Sequence, residues 1–295
     1  MLLRSLRLLL GASSALAMCG QMSIHAQKPL AEVAYRPEGK LIYVPVEVNG
    51  SQTLTFILDT GAPNSLIDTA VADKLGIKAL ANGVIHGAGK GDVSADDAGD
   101  VALTVGGITT HVPHAKIVDL SKVPLPSKTD GLLGAEFFEK YVVRIDPEQH
   151  TIAFYNPQTF AYIGHGSSIP LELTNSRLYV HMGLEAIPGQ LLDRRLRVDT
   201  GSEDSVDDDT VRSAPTQQKT ILGNGLGSSY EDVSGVYNRV VLGAYTFRHV
   251  WGPAGAVPIV GMEIMRRFTL TFFAQQGLLY LEPNERLSEP IPPPS

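Results

Sequence analysis

The chain has 295 residues, 43% of them hydrophobic and 19% charged, with 29 Gly, 19 Pro and a formal charge of −7. This composition excludes a coiled coil and a disordered chain, and the acidic balance excludes the basic footprint of a nucleic-acid binder. The length allows one large or two medium-sized cores.

Residues 1–26 read as a signal peptide: Arg4 and Arg7, the short apolar run Leu8 to Ala17, then small residues up to Ala26. Its removal takes away two Arg and no acid, moving the formal charge from −7 to −9. This implies a secreted or periplasmic location. Cys19, the only cysteine, lies in this segment, where Leu16-Ala17-Met18-Cys19 partly resembles a bacterial lipobox. A lipid anchor through Cys19 is the alternative. No later stretch approaches the ~20 apolar residues of a membrane span. Without residues 1–26 the chain has no thiol for disulfides, thiolate catalysis or a Cys-based zinc site.

Residues 27–39 form an N-terminal segment, and the chain beyond residue 39 reads as two similar halves. The first is Leu54-Thr-Phe-Ile-Leu-Asp59-Thr60-Gly61, with Ser65 and Asp68 beyond it. The second is Arg195-Leu-Arg-Val-Asp199-Thr200-Gly201, with Ser205 and Asp208 at the same spacing. By average residue usage, two Asp-Thr-Gly triplets in such a chain have a chance below about 1%. Leu132-Leu133-Gly134-Ala-Glu136 likewise recurs as Ile259-Val260-Gly261-Met-Glu263. Glycine-rich tips stand between, at Gly87-Ala88-Gly89 and Gly223-Asn224-Gly225. Each half therefore repeats strand, Asp-Thr-Gly, short helix, glycine-tipped hairpin, apolar-apolar-Gly, short helix and hairpin. Many short β-branched runs separated by turn residues predict an all-β fold. Helices are expected only near 65–75, 135–141 and 262–268. Hairpins are expected around Asp146-Pro147-Glu148-Gln149 and Gln275-Gln276-Gly277. The halves divide as a first lobe over 40–158, a linker over 159–177, a second lobe over 178–284, and a Pro-rich flexible tail over 285–295.

Two similar lobes pack about a pseudo-twofold axis, where equivalent points meet. If the two Asp-Thr-Gly turns meet there, Asp59 and Asp199 face each other. Two close carboxylates do not both ionise easily, so they share one proton and titrate as a pair. A water between them then has a base on one side and an acid on the other, which is the requirement for attack on an amide carbon. Gly61 and Gly201 permit the close approach, and the Thr60 and Thr200 hydroxyls are placed to bond across the interface.

These residues resemble the pepsin/retropepsin clan of aspartic proteases, most of all bacterial two-lobed members with retropepsin-like lobes, over roughly residues 40–284. The resemblance implies two acid-protease lobes related by a pseudo-twofold, with a cleft between them. It implies an aspartic endopeptidase with Asp59 and Asp199 as the catalytic pair, supported by Thr60, Gly61, Thr200 and Gly201. Flaps are implied at Gly87, Ala88 and Gly89 and at Gly223, Asn224 and Gly225. A peptide or protein would be the substrate. No metal, cofactor, nucleic acid or membrane span is called for, and a monomer suffices because both lobes lie in one chain. The alternative is a catalytically inactive peptide-binding protein that keeps the fold. Three departures stand out: no tyrosine lies in the first flap, Arg197 precedes Asp199 where an apolar residue is usual, and Glu203, Asp204 and Asp207 to Asp209 crowd the second site with acids.

Other groups receive plainer roles. Ser65 and Ser205 are expected to cap the following helices, with Asp68 and Asp208 completing a capping-box-like pattern. No Gly-x-Ser-x-Gly elbow supports a serine hydrolase. His111 and His114 read as ordinary strand or surface positions, Phe137-Phe138 and Ile264-Met265 as core, and the acids of 203–209 as a solvated face.

Overall fold

The computed structural model describes residues 27–87, 89–223, 225–291 and 293. The signal-peptide and Cys19 readings, and two flap candidates, Ala88 and Asn224, lie outside the described residues. The fold is all-β, and its strands form three large sheets and one small hairpin.

The first large sheet is built from the first half. Its order is Arg36–Glu38, Leu41–Val48, Leu54–Leu58, Gly131–Leu133, Leu66–Asp68, Ile108–Val118 and Asp96–Val105. A further pairing of Leu41–Val48 with Asp96–Val105 brings the sheet back on itself. The second sheet is built from the second half, on the path Val206–Asp207, Ile259–Val260, Leu192–Val198, Arg177–Glu185, Tyr230–Leu242 and Gln217–Leu222. The third takes strands from both halves. Val142–Asp146 pairs with Thr151–Tyr155 on one side and with Phe268–Phe273 on the other, and Phe268–Phe273 pairs with Leu278–Pro283. Both predicted hairpins are therefore formed, and they join edge to edge at Val143 and Phe272.

Alternation drives this arrangement. In Leu41–Val48, Ile42, Val44, Val46 and Val48 point into one core at a period of two. Phe268–Phe273 is buried at every position, as expected for a strand covered on both faces. Phe138 and Phe272, one from each half, meet edge to face at 5.0 Å between centroids. Full burial of such a side chain contributes ~1.5–3 kcal/mol.

The helices are short: Thr69–Leu75, Glu136–Lys140 and Met262–Met265. The first begins later than the sequence suggests. Leu66–Asp68 stays extended because it pairs with Gly131–Leu133 and Ile108–Val118. Ser65 is consequently no cap; Asp68 caps instead, accepting from the Ala70 amide at 3.0 Å. In the second half Asp208 does the same for Thr210, at 3.0 Å, and the Ser205 hydroxyl donates to the Trp251 carbonyl. Both serines are thus held by strand contacts one step ahead of the turn.

The segments flanking the halves carry structure of their own. Within 27–39, Ala31–Ala34 pairs with Thr151–Tyr155 and Arg36–Glu38 with Leu41–Val48. Within 159–177, Ser167–Pro170 joins the shared sheet and Glu172–Thr174 pairs with the strand that starts at Arg177. The start of the expected flexible tail is held. Residues Glu285–Ser288 make a 3-10 turn, and the fully buried Arg267 donates to the carbonyls of Arg286 at 2.9 Å and Glu289 at 2.5 Å. A buried guanidinium needs acceptors, and these tail carbonyls supply them.

Candidate active site

The two Asp-Thr-Gly turns are bonded alike. Leu54–Leu58 runs parallel to Gly131–Leu133, and the Asp59 amide donates to the Leu133 carbonyl at 2.9 Å. Leu192–Val198 runs parallel to Ile259–Val260, and the Asp199 amide donates to Val260 at 3.0 Å. The Ala135 amide returns to Ala62 at 3.0 Å, and the Met262 amide to Ser202 at 2.8 Å. Each apolar-apolar-Gly element thus holds the Asp-Thr-Gly turn of its own half from the neighbouring strand.

The turns then meet. The Thr60 amide donates to Thr200 Oγ1 and the Thr200 amide to Thr60 Oγ1, both at 3.0 Å. Each hydroxyl passes its proton onward, Thr60 Oγ1 to the Val198 carbonyl at 2.7 Å and Thr200 Oγ1 to Leu58 at 2.8 Å. Both threonines are fully buried, so all four bonds are made away from water. The glycines set the approach. A Cβ on Gly61 would lie 2.6 Å from Asp199 Cγ, and one on Gly201 would lie 2.6 Å from Asp59 Cγ. Only residues without a side chain fit there. Asp59 and Asp199 therefore each stand against the other half's glycine.

Each carboxylate has one oxygen fixed by its own turn. Asp59 Oδ1 accepts from the amides of Gly61 at 2.8 Å and Ala62 at 3.2 Å, and Asp199 Oδ1 accepts from Gly201 at 3.1 Å. Burial pushes the Asp59 carboxyl up to about 7. The negative charge of Asp199 adds to the rise, while Arg197 and the two amides oppose it. Arg197 Nη2 donates to Asp199 Oδ2 at 3.0 Å.

The second-site acids divide. Asp208 and Asp209 both pair with Arg194. Glu203 accepts from the Lys40 amide at 2.7 Å. Asp204 and Asp207 stay near the pair; Asp204 is exposed, and burial raises the Asp207 carboxyl, with Asp204 and Asp199 adding to the rise. The expectation of a solvated face therefore fails for Asp208, fully buried against Arg194 and the following 3-10 turn, and holds for exposed Asp204 and Asp209.

The glycine tips of the two halves touch. Val84–Ile85 and Val93–Ser94 form the first hairpin, and Gln217–Leu222 and Tyr230–Leu242 the second. The Gly89 amide donates to the Leu226 carbonyl at 2.8 Å, and Lys90 and Ser228 exchange amide bonds at 2.8 and 2.9 Å. Gly87 and Gly89 lie so close to the second tip that a Cβ on Gly89 would come within 2.6 Å of the Gly227 carbonyl carbon. On the second hairpin the contacts come from Leu226, Gly227 and Ser228, just beyond Gly223 and Gly225. Sequence pattern alone misses that shift, although Gly227 offers a signal. Leu226 packs under the first hairpin against a cluster of Tyr43, Ile57, Leu66 and Leu132.

His111 and His114 are exposed, each beside its own aspartate, Asp100 and Asp97. No group of three potential metal ligands occurs among the described residues.

Comparison with known proteins matches part of the first half. Residues 44–137 match the family model described as aspartyl protease. The matched stretch carries Asp59-Thr60-Gly61 and Leu132-Leu133-Gly134, and the match supports a protease-like function at the level of the family. The chain is also 25% identical over 120 residues to DNA damage-inducible protein 1 of Eremothecium gossypii, a match covering 38% of this chain and 22% of that protein. The chain thus spans about a fifth of the length of the curated relative it matches.

Proposed function

We propose that the protein is an aspartic endopeptidase in which Asp59 and Asp199 activate a water between them. The observation that carries this reading is the crossed bonding of Thr60 and Thr200, which sets each Asp against the other half's glycine. Thr60, Gly61, Thr200 and Gly201 are then the supports of the pair. With one proton shared, the ionised carboxylate takes a proton from the water as it attacks the amide carbon, and the protonated one stabilises the developing oxyanion. The substrate is a peptide or protein strand lying beneath the paired hairpin tips.

Both aspartates come from one chain, so a monomer contains the whole pair. Residues 1–26 direct the protein out of the cytoplasm and are removed; N-terminal sequencing of the exported protein tests this. The mature chain comprises two retropepsin-like lobes.

The deciding experiment is product mapping. The purified protein is incubated with a mixed peptide pool between pH 3 and 7, beside D59N and D199N, and products are read by mass spectrometry. Internal cuts made by the wild type and absent from both variants are the expected result. Cuts that survive both substitutions place the chemistry elsewhere. Peptide binding without cuts at any pH leaves the inactive binding protein as the better reading.

A further inference from the structure

The strands leading into the two turns differ two residues before the Asp. A residue at that position shares the face of the Asp on its strand. In the first half it is Ile57, buried in the cluster of Tyr43, Leu66 and Leu132. In the second it is Arg197. The two occupy matching registers: Ile57 lies across from Leu132, and Arg197 from Ile259. The Arg197 side chain is only 18% exposed, its Nη2 is on Asp199 Oδ2, and its Nε is buried without a partner. The bond leaves Asp199 Oδ1 to the Gly201 amide. Among the described residues, Asp59 has no cation within ion-pairing distance.

We propose that Arg197 makes the two carboxylates unequal: it holds the negative charge on Asp199 and leaves the shared proton on Asp59. The inference rests on the dyad described under Proposed function and assigns its roles. Asp199 is the base. As the water oxygen bonds to the amide carbon, Asp199 receives one water proton and Asp59 gives its proton to the carbonyl oxygen. When the carbon–nitrogen bond breaks, Asp199 passes its proton to the leaving nitrogen, and one hydroxyl of the tetrahedral intermediate returns a proton to Asp59. Both residues end as they began. Arg197 touches no reacting atom and is a positioning residue acting through Asp199.

The other charges around Asp199 do not cancel this cation. Asp59 faces it from the end of Leu54–Leu58. Asp204 approaches from the loop before Val206–Asp207, with Lys40 and Glu203 behind it, and Asp207 approaches from that strand. Desolvation drives the carboxyl of Asp207 upward, toward its neutral form, and Asp204 is exposed, so water screens its charge. An arginine stays charged throughout. A cation beside the pair lowers both of its ionisation steps, because every proton lost leaves more negative charge beside the guanidinium.

The test compares R197Q, which keeps donors but no charge, with R197K, which keeps the charge. Two readouts are taken: the pH profile of kcat/KM on a peptide cut by the wild type, and carboxyl carbon NMR of protein labelled in its aspartates. Signals are assigned by their loss in D59N and D199N. In R197Q both limbs of the profile are expected to move up by about one pH unit, a tenfold change in proton affinity. R197K keeps the limbs near the wild-type position. Between the two steps, the wild-type Asp59 signal is expected to be that of a protonated acid and the Asp199 signal that of a carboxylate. A profile unmoved in R197Q, an equal shift in R197K, or a protonated Asp199 signal overturns the inference. If the wild type cuts nothing, the hydrolase reading fails, and the NMR titration still decides where the proton sits. Should R197Q not fold, as judged by near-ultraviolet circular dichroism, the proton positions in the wild type and R197K decide the matter.

Discussion

The two Asp-Thr-Gly turns share their main-chain bonds to the neighbouring strand and their crossed threonine bonds, yet the walls beside them do not match. The first wall is aliphatic and aromatic: Tyr43, Ile57, Leu66 and Leu132, with Leu226 of the other half's hairpin packed onto it. The second carries Arg197 and Asp207, both aligned with Ile259 in the neighbouring strand. The glutamates after the apolar-apolar-Gly elements diverge as well. Glu136 accepts from the Ser65 amide at 2.6 Å and is pushed up by burial, which those bonds only partly offset. Glu263 meets Lys40 at 2.8 Å, Arg266 at 2.9 Å and Arg267 at 2.6 Å. Burial would raise it too, but Lys40 and Arg267 hold it below the usual carboxylate range. A repeated backbone frame can thus carry unlike electrostatics, since main-chain bonds do not depend on which side chains line the sheet.

The sharpest way to test the shared frame is to remove each carboxylate in turn. D59N and D199N are both expected to lose more than about a thousandfold in kcat/KM, as a water lacking either its acid or its base is poorly activated. Peptidase assays of the two variants check this, and a large difference between them would mean that the turns do not act as a pair.

The glutamates should separate next. E263Q leaves three cations short of a buried partner and is expected to cost ~3–5 kcal/mol. E136Q keeps an acceptor for the Ser65 amide and should cost no more than ~1 kcal/mol. Urea unfolding of both variants measures the gap, and equal losses would erase this contrast between the halves.

The threonines should not separate. T60V and T200V each orphan a buried amide of the opposite turn, at an expected ~1–3 kcal/mol apiece. In the double variant the losses should be less than additive, because the two hydroxyls belong to one network. Unfolding curves of the two single variants and the double read this directly.

The smallest effect concerns pH. Asp59 takes up its proton more readily when folded, at about 7, than at the ordinary carboxylate value of 3.8. Its contribution to stability is therefore complete below about pH 4 and is lost as pH rises through about 7. D59N cannot ionise, so its Tm should exceed that of the wild type by a few degrees at pH 8, with little difference at pH 4. For a chain of this size ~1 kcal/mol moves Tm by about 2–4 °C. Thermal melts at the two pH values check the sign.

Much of this is legible in the sequence. The duplicated Asp-Thr-Gly and Gly-x-Glu elements, both hairpins and the Phe137-Phe138 core pair arise from local pattern, because turn chemistry and alternation act over a few residues. Other features are out of its reach. The helix start at Thr69 depends on Leu66–Asp68 finding strand partners more than forty residues away. Capture of the tail by Arg267 depends on which carbonyls come near a buried guanidinium. Arg197 is visible as an odd residue before Asp199, but only the fold shows its guanidinium on Oδ2 and Ile57 in the matching place.

The sequence by itself determined that the chain is all-β, that it repeats, and which two carboxylates are marked out, since these rest on spacing and on residue type. Tertiary structure alone decided that the threonines bond crosswise, that Leu226 to Ser228 rather than Gly223 and Gly225 meet the first tip, and that the acids after Gly201 split between Arg194, Lys40 and the Asp pair. Those contacts join residues from opposite halves or neighbouring strands, and burial fixes their strength; neither is a property of any short stretch of chain.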